Sequence, residues 1–131
     1  MKILKKVSQE AVSLQKSIRV LIQVNIAEDD QKYGFSIRDL RKHWQEILLF
    51  QNIFVEGIML MAPYTTDTTL IDDCFRKGQA LFQELQSYQQ LVTLSMGMSQ
   101  DFELALKAGS TMIRIGRLLF QEENDGTGNV G

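Results

Sequence analysis

The sequence predicts an α/β fold in which parallel strands alternate with helices. Apolar residues at three- and four-residue spacing alternate along the chain with short runs of β-branched and other apolar residues. This helix-then-strand order occurs four times, which is typical of parallel strands joined by right-handed crossovers. The pattern leaves a doubly wound sheet and a barrel open. A complete eight-stranded barrel needs about 250 residues, whereas this chain has 131.

The first helix is predicted near the N-terminus, where apolar residues share one face and lysines occupy the rest of the wheel. The apolar residues are Ile3, Leu4, Val7, Ala11 and Leu14. The segment Arg19–Ile26, RVLIQVNI, is dense in β-branched residues and predicts the first strand. Ser36, with Asp39 three residues later, resembles a capping box and predicts the start of a second helix that carries Leu40, Trp44, Ile47 and Leu48.

A nearly continuous apolar run, Ile53–Ala62, predicts a second strand that is covered on both faces and ends at Pro63. A third helix is predicted over 71–85 and a third strand over Leu91–Leu94. Ser99 is the predicted N-cap of a short fourth helix that ends near Gly109. A fourth strand is predicted over Thr111–Gly116. Residues 1–120 then form one partial domain, and the Gly- and Asn-rich tail 121–131 is predicted to be disordered.

Composition argues against several classes of function. Lys and Arg total 14 against 16 Asp and Glu, without a long basic block, so nucleic acid is an unexpected partner. No apolar stretch approaches the roughly 18 residues of a membrane span, and the N-terminus lacks a signal peptide's apolar centre, which predicts a cytoplasmic protein. A single cysteine, Cys74, and a single histidine, His43, provide neither an internal disulfide nor a metal site.

The strongest candidate site combines two strand ends. In an extended Thr111–Gly116, Arg114 and Gly116 share a face, and Ser95–Ser99 (SMGMS) follows the preceding strand. Ligands of α/β folds bind at the carboxyl ends of the strands. Exposed glycine backbone, a serine hydroxyl and an arginine together suggest a phosphate-bearing ligand. The alternative is a tight strand-to-helix connection in which Arg114 pairs with a nearby carboxylate.

Four segments carry a family resemblance. In order, LIQVNI, KYGFS, GIMLMAPYTTD and LSMGMSQDFELALKAGSTMIRIGRLLF resemble the pyridoxal phosphate homeostasis protein family, also called the YggS or PROSC type. The resemblance runs from Val20 to Phe120, and its long last segment makes it specific. It implies a single-domain (β/α) barrel, similar to the N-terminal domain of alanine racemase, represented here by its last four strands.

The same resemblance implies the cofactor and its contacts. Family members bind pyridoxal 5′-phosphate as a Schiff base to a lysine on the first barrel strand. Met1 coincides with a place just after the fourth strand, so we expect a truncated chain with weak or absent cofactor binding. Ser95 matches the phosphate-binding serine, Gly116 the phosphate-facing backbone, and Arg114 the arginine beneath the cofactor. Arg117 stands where the family usually has Ser or Thr.

The expected function is therefore that of a non-enzymatic protein, which in intact form buffers pyridoxal phosphate and delivers it to apoenzymes. The alternative is a fragment of a racemase-like or other phosphate-binding barrel enzyme, which needs a general base such as a tyrosine at a strand's carboxyl end. Tyr33 and Tyr64 fall in predicted loops. A third possibility is a half-barrel that associates with another copy or another chain through its open edges.

Overall fold

The structure is a computed structural model that describes residues 1–27 and 33–116. Helices and strands alternate along it as the sequence predicts. The predicted turn at 118–120 and the predicted tail at 121–131 lie outside the described residues. The elements are α1 Lys2–Ser13, β1 Ile18–Gln23, α2 Ile37–Leu48, β2 Ile53–Met59, α3 Thr68–Gln86, β3 Thr93–Ser95 and α4 Phe102–Lys107.

The three strands form one parallel sheet in the order β1-β2-β3. Val20 of β1 lies opposite Val55 of β2, but Leu21 lies opposite Gly57, so Glu56 is one extra residue in β2. Such a bulge bends its strand locally. Gly57 then lies so close to β3 that a Cβ at this position would be 1.7 Å from the Thr93 carbonyl oxygen. The close approach of β2 and β3 therefore depends on a glycine at this position.

The core lies between the sheet and its helices. Ile58 of β2, Leu60 just after β2 and Phe75 of α3 are fully buried. α3 packs closely on the sheet, because a Cβ at Gly78 would be 2.6 Å from Leu60 Cδ2. Side chains alternate between the faces of a strand, and Phe54, on the opposite face from Val55, is 51% exposed. The described helices therefore cover one face of the sheet.

Helix starts follow the sequence prediction in one case and depart from it in another. The Ser36 hydroxyl accepts a hydrogen bond from the Asp39 N–H at 3.0 Å, which confirms the predicted cap of α2. The predicted Ser99 cap of α4 is wrong, because α4 begins after Asp101. The Asp101 carboxylate accepts the Met98 N–H at 2.7 Å and closes a turn over 98–101, which delays the start of the helix.

The predicted fourth strand over Thr111–Gly116 is an edge segment with one β-bridge, between Ser95 and Met112. The Met96 N–H donates to the Met112 carbonyl, and the Arg114 N–H donates to the Gly97 carbonyl at 2.9 Å. Gly97 has a φ of +106°, which turns β3 away after only three strand residues. The segment therefore runs beside β3 but lacks a partner strand long enough for a regular ladder.

Candidate functional site

A cavity of about 640 Å³ opens at the carboxyl ends of β2 and β3. Its wall combines the turn 97–101, the edge segment 114–116 and residues that follow β2, namely Met61, Ala62 and Tyr64. The two segments that the sequence singled out, SMGMS and RIG, therefore contribute to one cavity. Its position is the one in which parallel α/β sheets bind ligands.

Arg114 is held at this cavity by backbone contacts. Its Nη2 donates to the Leu60 carbonyl at 3.2 Å. Its Nε is buried and has no hydrogen-bond partner within the described part of the chain. Across residues 1–27 and 33–116, no ion pair joins Arg114 to a carboxylate, contrary to the alternative interpretation. A permanent cation with an unpaired buried donor suits an anionic or acceptor-bearing ligand.

Two glycines shape the wall. A Cβ built at Gly116 would have no heavy atom of the described residues within 4 Å, so among these residues the space beside its backbone is open. A Cβ at Gly97 would be 2.7 Å from the Ala105 Cβ, and its φ of +106° is one that other residues rarely adopt. Gly97 therefore permits the turn over the strand ends, while Gly116 leaves room for a ligand to approach the backbone.

The two serines of SMGMS have different surroundings. Ser95 is 1% exposed, lies within β3 and is not part of the cavity wall. Ser99 is partly exposed and lines the cavity. Arg117, the fourth predicted site residue, lies outside the described residues. The structure thus brings Arg114 and Gly116 to the cavity, whereas the serine in its wall is Ser99.

Tyr64 also belongs to the cavity wall, although the sequence pattern predicts only a loop there. Tyr64 lines the cavity and is 88% exposed. The signal that could have identified it is its position directly after Pro63, where the apolar run of β2 ends at the ligand-binding edge. Within the described residues, the cavity wall includes no lysine. It therefore offers no amine for covalent attachment of an aldehyde.

Other sites are not found in the described ranges. No group of three or more His, Cys, Asp or Glu residues in residues 1–27 and 33–116 could hold a metal ion. Among the helices of these ranges, none combines the length and apolar character needed to span a membrane. The Cys74 thiol is buried on the apolar face of α3.

Comparisons with known proteins agree with this architecture. The chain matches the family described as alanine racemase, N-terminal domain, over residues 1–123. It is 39% identical over 105 residues to the pyridoxal phosphate homeostasis protein of Aquifex aeolicus, a match that covers 79% of this chain and 46% of that protein. The chain spans about half the length of the curated relatives it matches.

Solved structures give the same result. PipY of Synechococcus elongatus, without pyridoxal phosphate, superposes with a TM-score of 0.84 at 30% identity, covering 91% of this chain and 57% of PipY. PipY has also been solved with pyridoxal phosphate bound, and that structure superposes with a TM-score of 0.81 at 30% identity, covering 88% of this chain and 55% of PipY. Alanine racemase of Clostridium difficile is 14% identical with a TM-score of 0.69, over 88% of this chain and 31% of the enzyme, which shows a shared fold. By its family match, the chain belongs to the alanine racemase N-terminal domain family, and the curated relatives it matches are named pyridoxal phosphate homeostasis proteins.

Proposed function

We propose that this chain supplies the phosphate-facing wall of a pyridoxal 5′-phosphate site in a cytoplasmic, non-catalytic protein that buffers the cofactor and delivers it to apoenzymes. The observation that carries this proposal is a cavity that both Arg114 and Gly116 line, in which the buried Arg114 Nε has no partner among the described residues. Relatives named for pyridoxal phosphate homeostasis support the choice of cofactor.

We further assign the described part of residues 1–120 to the last four strands of an eight-stranded barrel. The edge segment at 111–116 is the fourth strand in this assignment, since it hydrogen-bonds to β3 in parallel. A full barrel would give this segment a second neighbour and lengthen its ladder. This assignment accounts for the sheet face that the described helices leave uncovered, because a barrel packs that face inward.

The residues of the cavity fit the chemistry of a phosphate ester. A phosphate dianion binds well to backbone N–H groups, hydroxyls and guanidinium groups. Gly116 offers accessible backbone, Ser99 a hydroxyl and Arg114 a cation. Ser95, the serine indicated by the family resemblance, is buried below the cavity and would have to act from within β3. Arg117, which lies outside the described residues, carries a charge at the position where the family resemblance implies a hydroxyl.

Binding by this chain is expected to be weak and non-covalent. The described cavity wall contains no lysine, whereas the family resemblance implies a cofactor held as a Schiff base to a lysine. The absence of a paired acid and base in the described wall also favours a cofactor-handling role over catalysis.

A second candidate is a pyridoxal-phosphate enzyme of the racemase type, and one observation favours it. Tyr64 lines the cavity at the carboxyl edge of the sheet, where a general base would be needed. If this candidate is correct, Tyr64→Phe abolishes a turnover that the parent chain shows. If the chain only handles the cofactor, neither protein racemises an amino acid and Tyr64→Phe leaves cofactor binding intact.

The test of the leading proposal compares pyridoxal 5′-phosphate with pyridoxal, which lacks the phosphate, by equilibrium dialysis against the purified chain. We expect measurable binding of the phosphate ester and at least tenfold weaker binding of pyridoxal. Gly116→Val should remove the preference, because its side chain occupies the open space beside the backbone. Ala80→Val, on an exposed position of α3, is the matched control. Equal binding of both ligands, or an unchanged preference in Gly116→Val, would contradict the proposal.

A further inference from the structure

A small polar cavity lies between α2 and α3, away from the candidate site. It has a volume of about 230 Å³, and its wall includes Arg41 and Trp44 of α2, Glu84 of α3 and Tyr88 just after α3. α3 begins at Thr68, close in sequence to the wall of the candidate site, and Glu84 lies about 24 Å further along the helix axis at about 1.5 Å per residue. We call this cavity the helix groove.

The wall of the helix groove contains a residue with an unpaired buried donor. Trp44 is 2% exposed, and its Nε1 has no hydrogen-bond partner among residues 1–27 and 33–116. A buried indole N–H usually donates to an acceptor, because an unpaired buried donor loses its hydrogen bond to water without replacement. The groove therefore favours an occupant that carries an oxygen acceptor.

The charge around the groove is mainly positive. Arg41 donates through Nε and Nη2 to the two carboxylate oxygens of Glu84, which leaves its Nη1 for a further acceptor. Lys42 lies in the wall, and Arg38 lies one turn earlier on the same face of α2. Neither forms an ion pair within the part of the chain that the structure describes. Because Glu84 is the one carboxylate in the described wall, the surface complements a negatively charged acceptor.

Size and neighbouring apolar groups favour a side chain of a partner protein over a free metabolite. Cavities that enclose small-molecule ligands have volumes of about 300–1,000 Å³, and the groove is smaller. Tyr88 is 58% exposed, and Leu49, four residues after the wall residue Gln45 and on the same face of α2, is 81% exposed. Both offer apolar contact area outside the groove itself. Tyrosine, tryptophan and arginine are also the residue types that are enriched at the hot spots of protein interfaces.

We propose that the helix groove binds an acidic segment of a partner protein, with one Asp or Glu side chain inserted beside Trp44. The inserted carboxylate accepts from the indole Nε1 and the Arg41 Nη1, while Arg38 and Lys42 attract the acidic residues next to it. Nucleic acid fits less well, because the groove is a pocket for one acceptor group and not a continuous basic path along a phosphate backbone. Since the groove is remote from the candidate site, its occupancy is independent of the proposed cofactor.

The test titrates the purified chain into a fluorescein-labelled, capped peptide that carries a run of glutamates between glycines, and follows fluorescence anisotropy. We expect this peptide to bind at least tenfold more tightly than the same peptide with glutamine in place of glutamate. The unlabelled glutamate peptide should also shift the emission of Trp44, the one tryptophan of the chain. This shift reports binding at the groove itself.

Three variants and a matched control locate the binding surface. Lys42→Gln and Arg38→Gln should each weaken binding about two- to fivefold, as expected for exposed charge pairs. Trp44→Phe keeps an aromatic ring, removes the N–H and should weaken binding about tenfold or more. Lys107→Gln removes the same charge from an exposed position of α4 outside the groove and should change binding less than twofold. If circular dichroism shows that Trp44→Phe is unfolded, the two charge variants decide.

Four results would overturn the proposal. The first is a glutamate peptide that does not bind at about 1 mM, or that binds no better than the glutamine peptide. The second is binding that Lys42→Gln and Arg38→Gln weaken no more than Lys107→Gln does. The third is free glutarate that displaces the peptide at equal concentration, which would make a small dicarboxylate the occupant. The fourth is a single-stranded DNA oligonucleotide that binds more tightly than the peptide, which would make nucleic acid the occupant.

Discussion

Gly57→Ala is the substitution for which the structure gives the sharpest expectation. The added methyl carbon would lie 1.7 Å from the Thr93 oxygen and 2.6 Å from the Thr93 carbonyl carbon. Both atoms belong to the backbone of β3, so no side-chain rotation relieves the overlap. Since ordinary contacts at such a position begin at 3.4 Å, the two strands must separate or β2 must shift along β3.

The cost follows from the bonds that this movement breaks. The Val92 N–H donates to the Glu56 carbonyl at 2.9 Å and the Leu60 N–H donates to the Ser95 carbonyl at 2.9 Å, on either side of Gly57. Each such bond contributes about 1 kcal/mol net, and overpacking a core adds about 1–3 kcal/mol. We expect Gly57→Ala to lower the free energy of unfolding by about 3–5 kcal/mol, a large fraction of the ~5–15 kcal/mol of a typical domain.

The assay is urea denaturation followed by far-ultraviolet circular dichroism, with Gly116→Ala as the matched control. A methyl group at Gly116 meets no atom of residues 1–27 and 33–116 within 4 Å, so this control should stay within about 0.5 kcal/mol of the parent. If Gly57→Ala also stays within 1 kcal/mol, the close approach of β2 and β3 and the argument built on it are refuted.

Three further predictions concern a charge pair, a helix cap and the two serines. Arg41 donates to both carboxylate oxygens of Glu84 at 2.8 Å and holds the pKa of Glu84 below its ordinary value of 4.5. Because the side chains are 56% and 40% exposed, Glu84→Gln should lower the free energy of unfolding by only about 0.3–1 kcal/mol. This loss should be full above pH 4.5 and should shrink as the pH falls through the folded-state pKa of Glu84. Urea denaturation at pH 7 and pH 3 measures it, and an equal loss at both pH values would contradict the prediction. Ser36→Ala should lower the free energy of unfolding by about 1 kcal/mol by removing the cap of α2, and an unchanged urea midpoint would count against the cap. In equilibrium dialysis with pyridoxal 5′-phosphate, Ser99→Ala should weaken binding about tenfold or more by removing a charge-assisted hydrogen bond. Ser95→Ala should weaken binding less. If Ser95→Ala has the larger effect, Ser95 rather than Ser99 binds the phosphate.

Elements with strong periodic patterns or clear capping signals were predictable from the sequence. The hydroxyl of Ser36 and the stripe through Leu40 and Trp44 specify α2 almost to the residue. The run Ile53–Ala62 predicted β2, but the strand ends at Met59 because pairing, rather than apolar character, defines a strand end. The bulge at Glu56 has no signature in the run itself, since the close approach to Thr93 that requires Gly57 is a tertiary contact.

The site was predictable at the level of segments and less so at the level of side chains. Period two placed Arg114 and Gly116 on one face, and both line the cavity. The choice between Ser95 and Ser99 depends on where β3 ends, and the left-handed backbone of Gly97 sets that end. A glycine's backbone angle is not encoded in spacing, so sequence reasoning assigned Ser99 to a helix cap.

The position of Leu60 has a consequence for engineering. Its side chain packs against α3 at Gly78, while its carbonyl oxygen accepts a hydrogen bond from the Arg114 guanidinium. A substitution at Gly78 must displace the Leu60 side chain, so this contact connects α3 to the residue whose carbonyl accepts from Arg114. Libraries that vary the outer helices of this protein to improve its expression should for this reason be screened for ligand affinity as well as for yield, since α3 and the candidate site cannot be optimised as separate modules.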